Sequence, residues 1–256
     1  MIWPSNKGDD RAMIQILSIF RREFSGYFST PVAYVFIVIF LFLNGIFTFF
    51  MGDLFARGQA DLEPFFTWHP WLYLFLVPAL AMRLWAEERR VGTVELLMTL
   101  PVTVCQVVLG KYLAAWVFTG IALLLTFPVW LTVNYLGDPD NGVILAAYIG
   151  SFLMAGAYLA IGACISAMTK NQVIAFVVSV VVCFLFTITG LPMVTHLFSS
   201  WAPQSVIDTI SSLSFISNFQ SISRGVIDAR NVVYFASLIV FWLFVNTLVV
   251  GNRDGA

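Results

Sequence analysis

Few residues in this sequence could do chemistry alone. The two histidines, His69 and His196, have no cysteine or carboxylate partner in a ligand-type motif, so they predict helix packing rather than a metal or haem site. The run from Gly162 to Ser166 resembles a nucleophile elbow only loosely, because the second glycine is missing. A membrane-embedded hydrolase using Ser166 or Cys164 is therefore a minor alternative, and we predict no catalytic residue and no metal site.

The sequence also lacks the means to bind nucleotides or nucleic acids. Gly110 and Lys111 are followed by Tyr112, with no earlier glycine at the spacing of a phosphate-binding loop. The chain has 13 basic and 14 acidic residues, which leaves no basic excess to neutralise phosphates. The three cysteines are odd in number and lack CxxC spacing. We expect no cofactor in this chain and no nucleic-acid partner.

The composition instead predicts an all-α polytopic membrane protein. Of the 256 residues, 60% are hydrophobic and 11% charged, against roughly 45–50% and 25% in a soluble domain. Because a helix needs about 20 apolar residues to cross the hydrocarbon, the uncharged stretches predict six transmembrane helices within one domain, residues 1–256. These spans are 31–51, 65–84, 106–135, 142–168, 172–191 and 231–251. Proline and serine in residues 192–228 predict an external, re-entrant segment of short helices before the sixth span.

The basic residues orient these spans. An even number of spans places both termini on one side, and ten of the thirteen lysines and arginines fall on that side. Basic residues are enriched in cytoplasmic loops. We therefore expect a multi-pass membrane protein with both termini in the cytoplasm.

Residues 13–29 predict an amphipathic helix at the cytoplasmic interface. Apolar residues recur there at helical spacing, and the charged residues Arg21, Arg22 and Glu23 lie in the same helix. Such a helix serves equally well as a membrane anchor or as a contact to a partner, and the pattern leaves both open.

A charged segment, residues 86–101, connects the second and third spans. Its charged residues are Glu87, Glu88, Arg89, Arg90 and Glu95. Thr93, after Gly92, is a typical helix N-cap; Glu95 follows in the first turn, and Pro101 ends the helix. Its apolar stripe could rest on another protein, or the segment could be a solvated turn; composition favours neither.

The spans themselves contain small residues and almost no ionisable ones, which disfavours a proton pump or ion channel. A small-residue stripe in the fourth span comprises Ala147, Ser151, Ala155, Ala163 and Ala167. We favour internal bundle packing for this stripe over a dimer seam, although small residues serve both.

The order of these features resembles the membrane subunit of an ABC-2 type ATP-binding-cassette transporter. The run EERRVGTVELLMTLPVT, followed by QVVLGK, resembles the gliding-motility-type permeases of that class, as does FQSISRGVIDARNVVYF before the last span. The resemblance implies a permease subunit without its own ATPase site, acting as an exporter. A non-transporting membrane anchor that couples a cytoplasmic ATPase to an envelope machine is the alternative.

The resemblance also assigns partners and residues. It implies a nucleotide-binding ATPase subunit that holds ATP and Mg, a second permease copy or paralogue, surrounding membrane lipid, and in some members a separate periplasmic-domain subunit. Residues 86–101 would be the coupling helix that docks on the ATPase, through Glu87, Glu88, Arg89, Arg90, Gly92, Thr93 and Glu95. The external gate region would include Pro192, His196, Arg224 and Asp228. Because Glu87 and Glu88 are expected in a surface loop, reversing both charges should cost the fold little.

Overall fold

The computed structural model describes residues 7–93, 102–194, 203–226 and 228–253. Throughout these ranges the regular secondary structure is helical. The helices are α1 (Lys7–Phe28), α2 (Pro31–Ile46, continued by a π-helical turn, Phe47–Met51), α3 (Glu63–Thr67), α4 (His69–Ala81), α5 (Arg83–Val91), α6 (Val104–Leu124), α7 (Phe127–Leu136), α8 (Asn141–Met168), α9 (Gln172–Ile188), α10 (Gln204–Ser212), α11 (Phe215–Ser223) and α12 (Ala229–Arg253).

Among the described residues, four helical segments are long and apolar enough to cross a membrane. They are Pro31–Met51, Val104–Leu136, Asn141–Met168 and Ala229–Asn252. The predicted spans at 65–84 and 172–191 correspond to shorter helices, α4 with 13 residues and α9 with 17. The region 65–84 is divided at Trp68 and at Met82, where one helix ends and the next begins. Pro78, inside α4, also lacks the N–H that would donate a normal helical hydrogen bond.

The predicted span 106–135 is also divided, into α6 and α7. The division falls at Leu125 and Thr126, with Pro128 in the first turn of α7. Thr126 Oγ1 donates to the Leu123 carbonyl at 2.6 Å and lies 2.9 Å from the Tyr148 hydroxyl of α8. These bonds satisfy a polar side chain at the break, which keeps the kink compatible with an apolar surrounding.

Helix α8 forms the centre of the bundle and packs against α4, α5, α6, α9, α11 and α12. Its small-residue stripe is fully buried, each member being at most 1% exposed. Internal packing is therefore confirmed for the stripe within this chain. Small side chains let neighbouring backbones approach closely, which brings the polar groups of α8 within reach of adjacent helices.

His69 has the packing role that the sequence predicts. Its ring is fully buried, with Nε2 3.1 Å from Asn44 Oδ1 of α2 and Nδ1 3.1 Å from Ser151 Oγ of α8. Ser151 Oγ also lies 2.8 Å from the Tyr73 hydroxyl. These bonds give partners to the buried polar atoms of His69, Ser151 and Tyr73 across three helices, whereas Asn44 Nδ2 has no partner in the part of the chain that the structure describes. His196 lies outside the described residues.

Helix α1 begins at Lys7, earlier than the predicted helix at 13–29, and its apolar residues do not share one face. Ile19 is buried and Tyr27 stacks on Phe118 of α6 at 5.0 Å, whereas Met13 and Leu17 are 70% and 62% exposed. One side of α1 thus packs on the bundle while another offers apolar side chains to the surroundings, as an interfacial helix does.

Two short helices precede the last long helix. Helix α11 packs against α8 and buries Phe215, Phe219 and Ile222, while α10 leads into it. Helix α12 then begins at Ala229, two residues before the predicted start of the sixth span.

Candidate functional site

The charged segment after the second predicted span begins as a helix that is joined to the bundle core. Ser166 Oγ of α8 accepts hydrogen bonds from the N–H groups of Trp85 and Ala86 at 3.2 and 3.1 Å, and donates to the Met82 carbonyl at 2.8 Å. Ser166 therefore fixes the junction between α4 and α5.

Ser166 is thus a structural group. Its hydroxyl contacts three backbone groups of α4 and α5, and the neighbouring Cys164 is fully buried. A nucleophile needs a side-chain base within hydrogen-bond reach and access to substrate. The observed geometry offers neither at this pair, so the hydrolase alternative loses its support.

The predicted coupling helix at 86–101 is not continuous. Residues up to Val91 belong to α5, which ends at Gly92 with a φ of 79°, a left-handed conformation that glycine adopts without strain. Thr93 Oγ1 then donates to the Glu88 carbonyl at 3.4 Å. Residues 94–101, including Glu95 and Pro101, lie outside the described residues. The charges of 87–90 therefore occupy a helix that continues from α4 rather than a separate one.

Lys111 links this helix to α1. Its side chain is only 3% exposed, and Nζ lies 2.7 Å from Glu88 Oε1 of α5 and 3.2 Å from Glu23 Oε2 of α1. The ammonium also lies 5.5 Å from the centre of the Trp85 ring, a cation–π distance. A single buried cation thus joins the interfacial helix, the charged helix and α6.

Local sequence explains how Lys111 comes to this position. Thr103 and Gln106 form a reciprocal capping box, with the Thr103 N–H donating to Gln106 Oε1 at 2.8 Å, and this fixes the start of α6. At Gly110 the two helices touch: a Cβ there would lie 2.7 Å from Ile19 Cγ2 of α1. Only glycine permits this approach, which brings Glu23 within reach of Lys111.

The charges in this cluster balance. Arg22 NH2 lies 2.8 Å from Glu23 Oε1, so two carboxylates face two cations. Burial acts to raise the pKa of Glu23, but the charge of Lys111 and hydrogen bonds from Arg22 and Lys111 together lower its pKa below the ordinary value. The ionised form of Glu23 is therefore the stable one at neutral pH. We call Arg22, Glu23, Glu88 and Lys111 the charge cluster.

The structure separates the predicted coupling residues into two groups. Glu88 belongs to the charge cluster, and Glu87 pairs with Arg83 at 3.1 Å along α5. Arg90, Gly92 and Thr93 are exposed at the end of the helix. Because Glu88 holds a buried cation, the expectation that reversing both Glu87 and Glu88 costs the fold little is wrong for Glu88.

The sequence pattern did not identify Lys111 and Trp85 as site residues. In the sequence argument Lys111 served to exclude a phosphate-binding loop, to orient the spans and to end the QVVLGK run, but it was not predicted to be a site residue. The available signal was a lone lysine inside the apolar run QVVLGKYLAAW, since an unpaired cation in such a run requires a carboxylate from another helix.

Arg224, one of the predicted external gate residues, lies near the start of α8, at the opposite end of that helix from Ser166. Arg224 lines a cavity of about 600 Å³ together with Asp61, Glu63 and Asp140. Glu63 is already paired with Arg57, whose NH2 lies 2.8 Å from Glu63 Oε2. The charged side chains that line the cavity are therefore mostly acidic, and aromatic side chains of α3 and α11 line it as well.

Two other predicted gate residues, Pro192 and Asp228, do not line this cavity. Pro192 is the first residue of a helical stretch, described as far as residue 194, that follows the turn after α9, and Asp228 precedes α12, where its Oδ1 accepts from the Arg230 N–H at 3.1 Å. His196 is outside the described residues. Of the interfacial residues, Arg22 and Glu23 enter the charge cluster, whereas Arg21 is exposed on α1. Only Arg224 connects the gate prediction to a cavity.

The comparison with known families fits this helical architecture. Residues 73–250 match the family described as ABC-2 family transporter protein. The match covers well over half of the chain, so the chain belongs to this family. It is a multi-pass membrane permease of an ATP-binding-cassette transporter, a class that acts together with an ATP-binding subunit. No curated protein matches the chain significantly.

Proposed function

We propose that this chain is the membrane subunit of an ATP-binding-cassette exporter in a bacterial inner membrane, with six spans and both termini in the cytoplasm. Its motifs favour the gliding-motility-type branch. ATP is hydrolysed on a separate nucleotide-binding subunit that holds ATP and Mg, and two permease copies or paralogues form the translocation unit. The fourth span is the central helix α8, and α4 and α9 complete the six with shorter, broken spans.

The observation that carries the proposal is the bridge from Lys111 to Glu23 and Glu88. A force applied to the exposed end of α5 acts on Glu88, and a buried ion pair resists separation because breaking it leaves an uncompensated charge. The movement is then passed to α1 and α6 through Lys111, and to α8 through Ser166. The charge cluster thus supports a role in transmitting ATPase-driven motion.

The exposed residues beyond the charge cluster support docking at this end. Arg90 and Thr93 are exposed, Gly92 lets the chain turn sharply, and the described chain resumes at Val102 just before α6. Residues 90–93 are therefore an exposed end of α5, which the charge cluster joins to α6. We propose that this end of α5, with the rest of the segment 86–101, is where the ATPase subunit binds.

Residues 192–228 would close the external side in this proposal. Helix α11 is packed on α8 and lines the external cavity with Arg224, opposite Asp61 and Asp140. In an exporter this cavity lies at the exit. A separate periplasmic-domain subunit would contact the same face.

Co-purification with the ATPase subunit tests the docking assignment. The tagged permease, co-expressed with candidate nucleotide-binding subunits, should retain one of them, and Arg90→Glu should release it while leaving the permease folded. Arg230→Glu, an exposed change at the opposite end, is the matched control and should retain the ATPase. Equal retention by both variants would overturn docking at 86–101.

The rate of ATP hydrolysis by the retained ATPase subunit distinguishes a transporter from a membrane anchor. Stimulation of ATP hydrolysis by a particular lipid, glycan or peptide supports export. A rate of ATP hydrolysis that no candidate substrate changes, while the ATPase subunit still binds the permease, would instead indicate the anchor function.

A further inference from the structure

A groove of about 730 Å³ runs along the outside of the bundle from the charge cluster towards the middle of α2. It lies between α1, α2, α4 and α5, and Gln172 at the start of α9 closes one edge. Its volume falls within the range of about 300–1,000 Å³ that small-molecule pockets occupy.

The two ends of the groove differ in chemistry. The charged end is formed by Arg22, Glu23, Arg83, Glu87, Glu88 and Lys111. The apolar end is formed by Val35, Phe36, Ile39, Leu76, Ala79 and Leu80. A ligand that fits both ends must carry a compact polar group at one end and a hydrocarbon chain at the other.

The length of the apolar wall matches one membrane leaflet. From Thr30, at the charged end, to Ile39 the chain advances nine residues along α2, or about 14 Å at the rise of an α-helix. Half of the hydrocarbon core of a bilayer is about 15 Å thick. The groove therefore places charged groups at the level of α1, beside the interface, and apolar groups along one leaflet.

The charged end favours a zwitterionic headgroup. Its three cations face three carboxylates, so a purely anionic headgroup would be repelled as much as it is attracted. Arg22 and Arg83 keep 54% and 36% of their side chains exposed and can reach a phosphate. Glu87 keeps 39% of its side chain exposed and lines the groove beside Glu88, so its carboxylate can accept a hydrogen bond from a primary ammonium.

We propose that this groove binds one ethanolamine phospholipid of the cytoplasmic leaflet. Arg22 and Arg83 bind its phosphate, Glu87 and Glu88 bind its ammonium, and an acyl chain lies against Phe36, Ile39 and Ala79. The proposal rests on the proposed function for the side of the membrane on which α1 lies. A lipid bound there joins α1 to α5 beside the charge cluster. It therefore helps to hold the proposed docking segment, residues 86–101, in place.

Native mass spectrometry of the purified full chain tests the proposal. The chain, exchanged into detergent with equal amounts of phosphatidylethanolamine, phosphatidylcholine and phosphatidylglycerol, should retain at least threefold more phosphatidylethanolamine than either other lipid. Phosphatidylcholine shares the charge pattern, but its quaternary nitrogen has no N–H to donate. Stronger retention of phosphatidylglycerol, or equal retention of all three, would overturn the proposal.

Variants locate the lipid in the groove. Arg22→Ala with Arg83→Ala should reduce retained phosphatidylethanolamine at least threefold, and Ala79→Trp, which fills the apolar end, should do the same. Ile39→Trp is the second filling variant if Ala79→Trp does not fold, because Ile39 is 42% exposed. Val240→Trp, at a 67% exposed site on α12, is the matched control and should retain the parent level.

Two further outcomes are informative. Disulfide cross-linking between cysteines placed at position 39 of two copies, with no lipid retained, would show that a second copy occupies the groove and would overturn the proposal. Labelling that places α1 on the external side would refute the proposed topology while leaving the lipid measurement unaffected. The failures of the lipid site and of the permease proposal are therefore distinguishable.

Discussion

Glu88 lies in the proposed docking segment, residues 86–101, and Lys111 lies 23 residues later in α6, yet their charged atoms are 2.7 Å apart in a largely buried position. The same ammonium lies 3.2 Å from Glu23 of α1. The segment predicted to bind the ATPase is therefore closed at its base by an ion pair, and the interfacial helix shares that pair.

Removing the cation should destabilise the protein strongly. Lys111→Met leaves Glu23 and Glu88 close together without a counter-charge, and losing one partner of a buried pair costs about 3–5 kcal/mol. We expect a loss of about 3 kcal/mol, at the low end, because the carboxylates remain 20% and 24% exposed. Thermal unfolding followed by tryptophan fluorescence measures it.

The triple variant Lys111→Met, Glu23→Gln, Glu88→Gln is the control for this effect. Since it removes all three charges together, it should recover most of the lost stability. A triple variant no more stable than Lys111→Met would show that the loss comes from packing rather than from charge.

Ser166→Ala should also lower the free energy of unfolding, by about 1–3 kcal/mol, because it removes the acceptor for two buried N–H groups of α5. Cys164→Ser, in the same helix turn, is the comparison for a change without such bonds. ATPase coupling should fall with Ser166→Ala in the reconstituted complex. Unchanged stability and coupling would mean that Ser166 does not hold the α4–α5 junction.

The charge cluster predicts a defined dependence of stability on pH. Because the folded state lowers the pKa of Glu23 below 4.5, its ordinary value, ionised Glu23 stabilises the protein fully above about pH 4.5. This stabilisation is lost as the pH falls through the lower, folded-state pKa. The unfolding temperatures of the parent and Glu23→Gln should therefore differ at pH 7 and converge on acidification. A gap that stays constant down to pH 3 would contradict the assignment.

Cysteine labelling in intact cells tests the six-span topology. Thr93→Cys should react only from the cytoplasm and Asp138→Cys only from outside; both sites are exposed. We avoid Gly92, whose positive φ disfavours a side chain, and Asp140, which caps α8 through the Gly142 and Val143 N–H groups. Cys105 is exposed and must be replaced by serine, whereas Cys164 and Cys183 are buried. Reaction of both introduced cysteines from one side would refute six spans.

The sequence predicts the helical class because apolar length and charge spacing follow directly from the bilayer. It also predicts the packing of His69 and the internal role of the α8 stripe. Pro78 and Pro128 predict interruptions of the second and third spans, but the exact breaks at Met82 and Thr126 also involve hydroxyl groups of other helices, which the sequence does not place. The pairing of Lys111 with Glu23 and Glu88 requires knowing which helices meet, and Gly110 decides that only once α1 is in place.

We propose above all that this permease transmits the motion of an ATPase carried on another subunit. ATP hydrolysis by the permease reconstituted in lipid, alone and with its co-purified nucleotide-binding subunit, tests it most directly. We expect no hydrolysis by the permease alone, hydrolysis by the assembled complex, and at least a threefold loss in the complex that carries Arg90→Glu, with Arg230→Glu unaffected. ATP hydrolysis by the isolated permease, or a complex indifferent to Arg90→Glu, would contradict the claim.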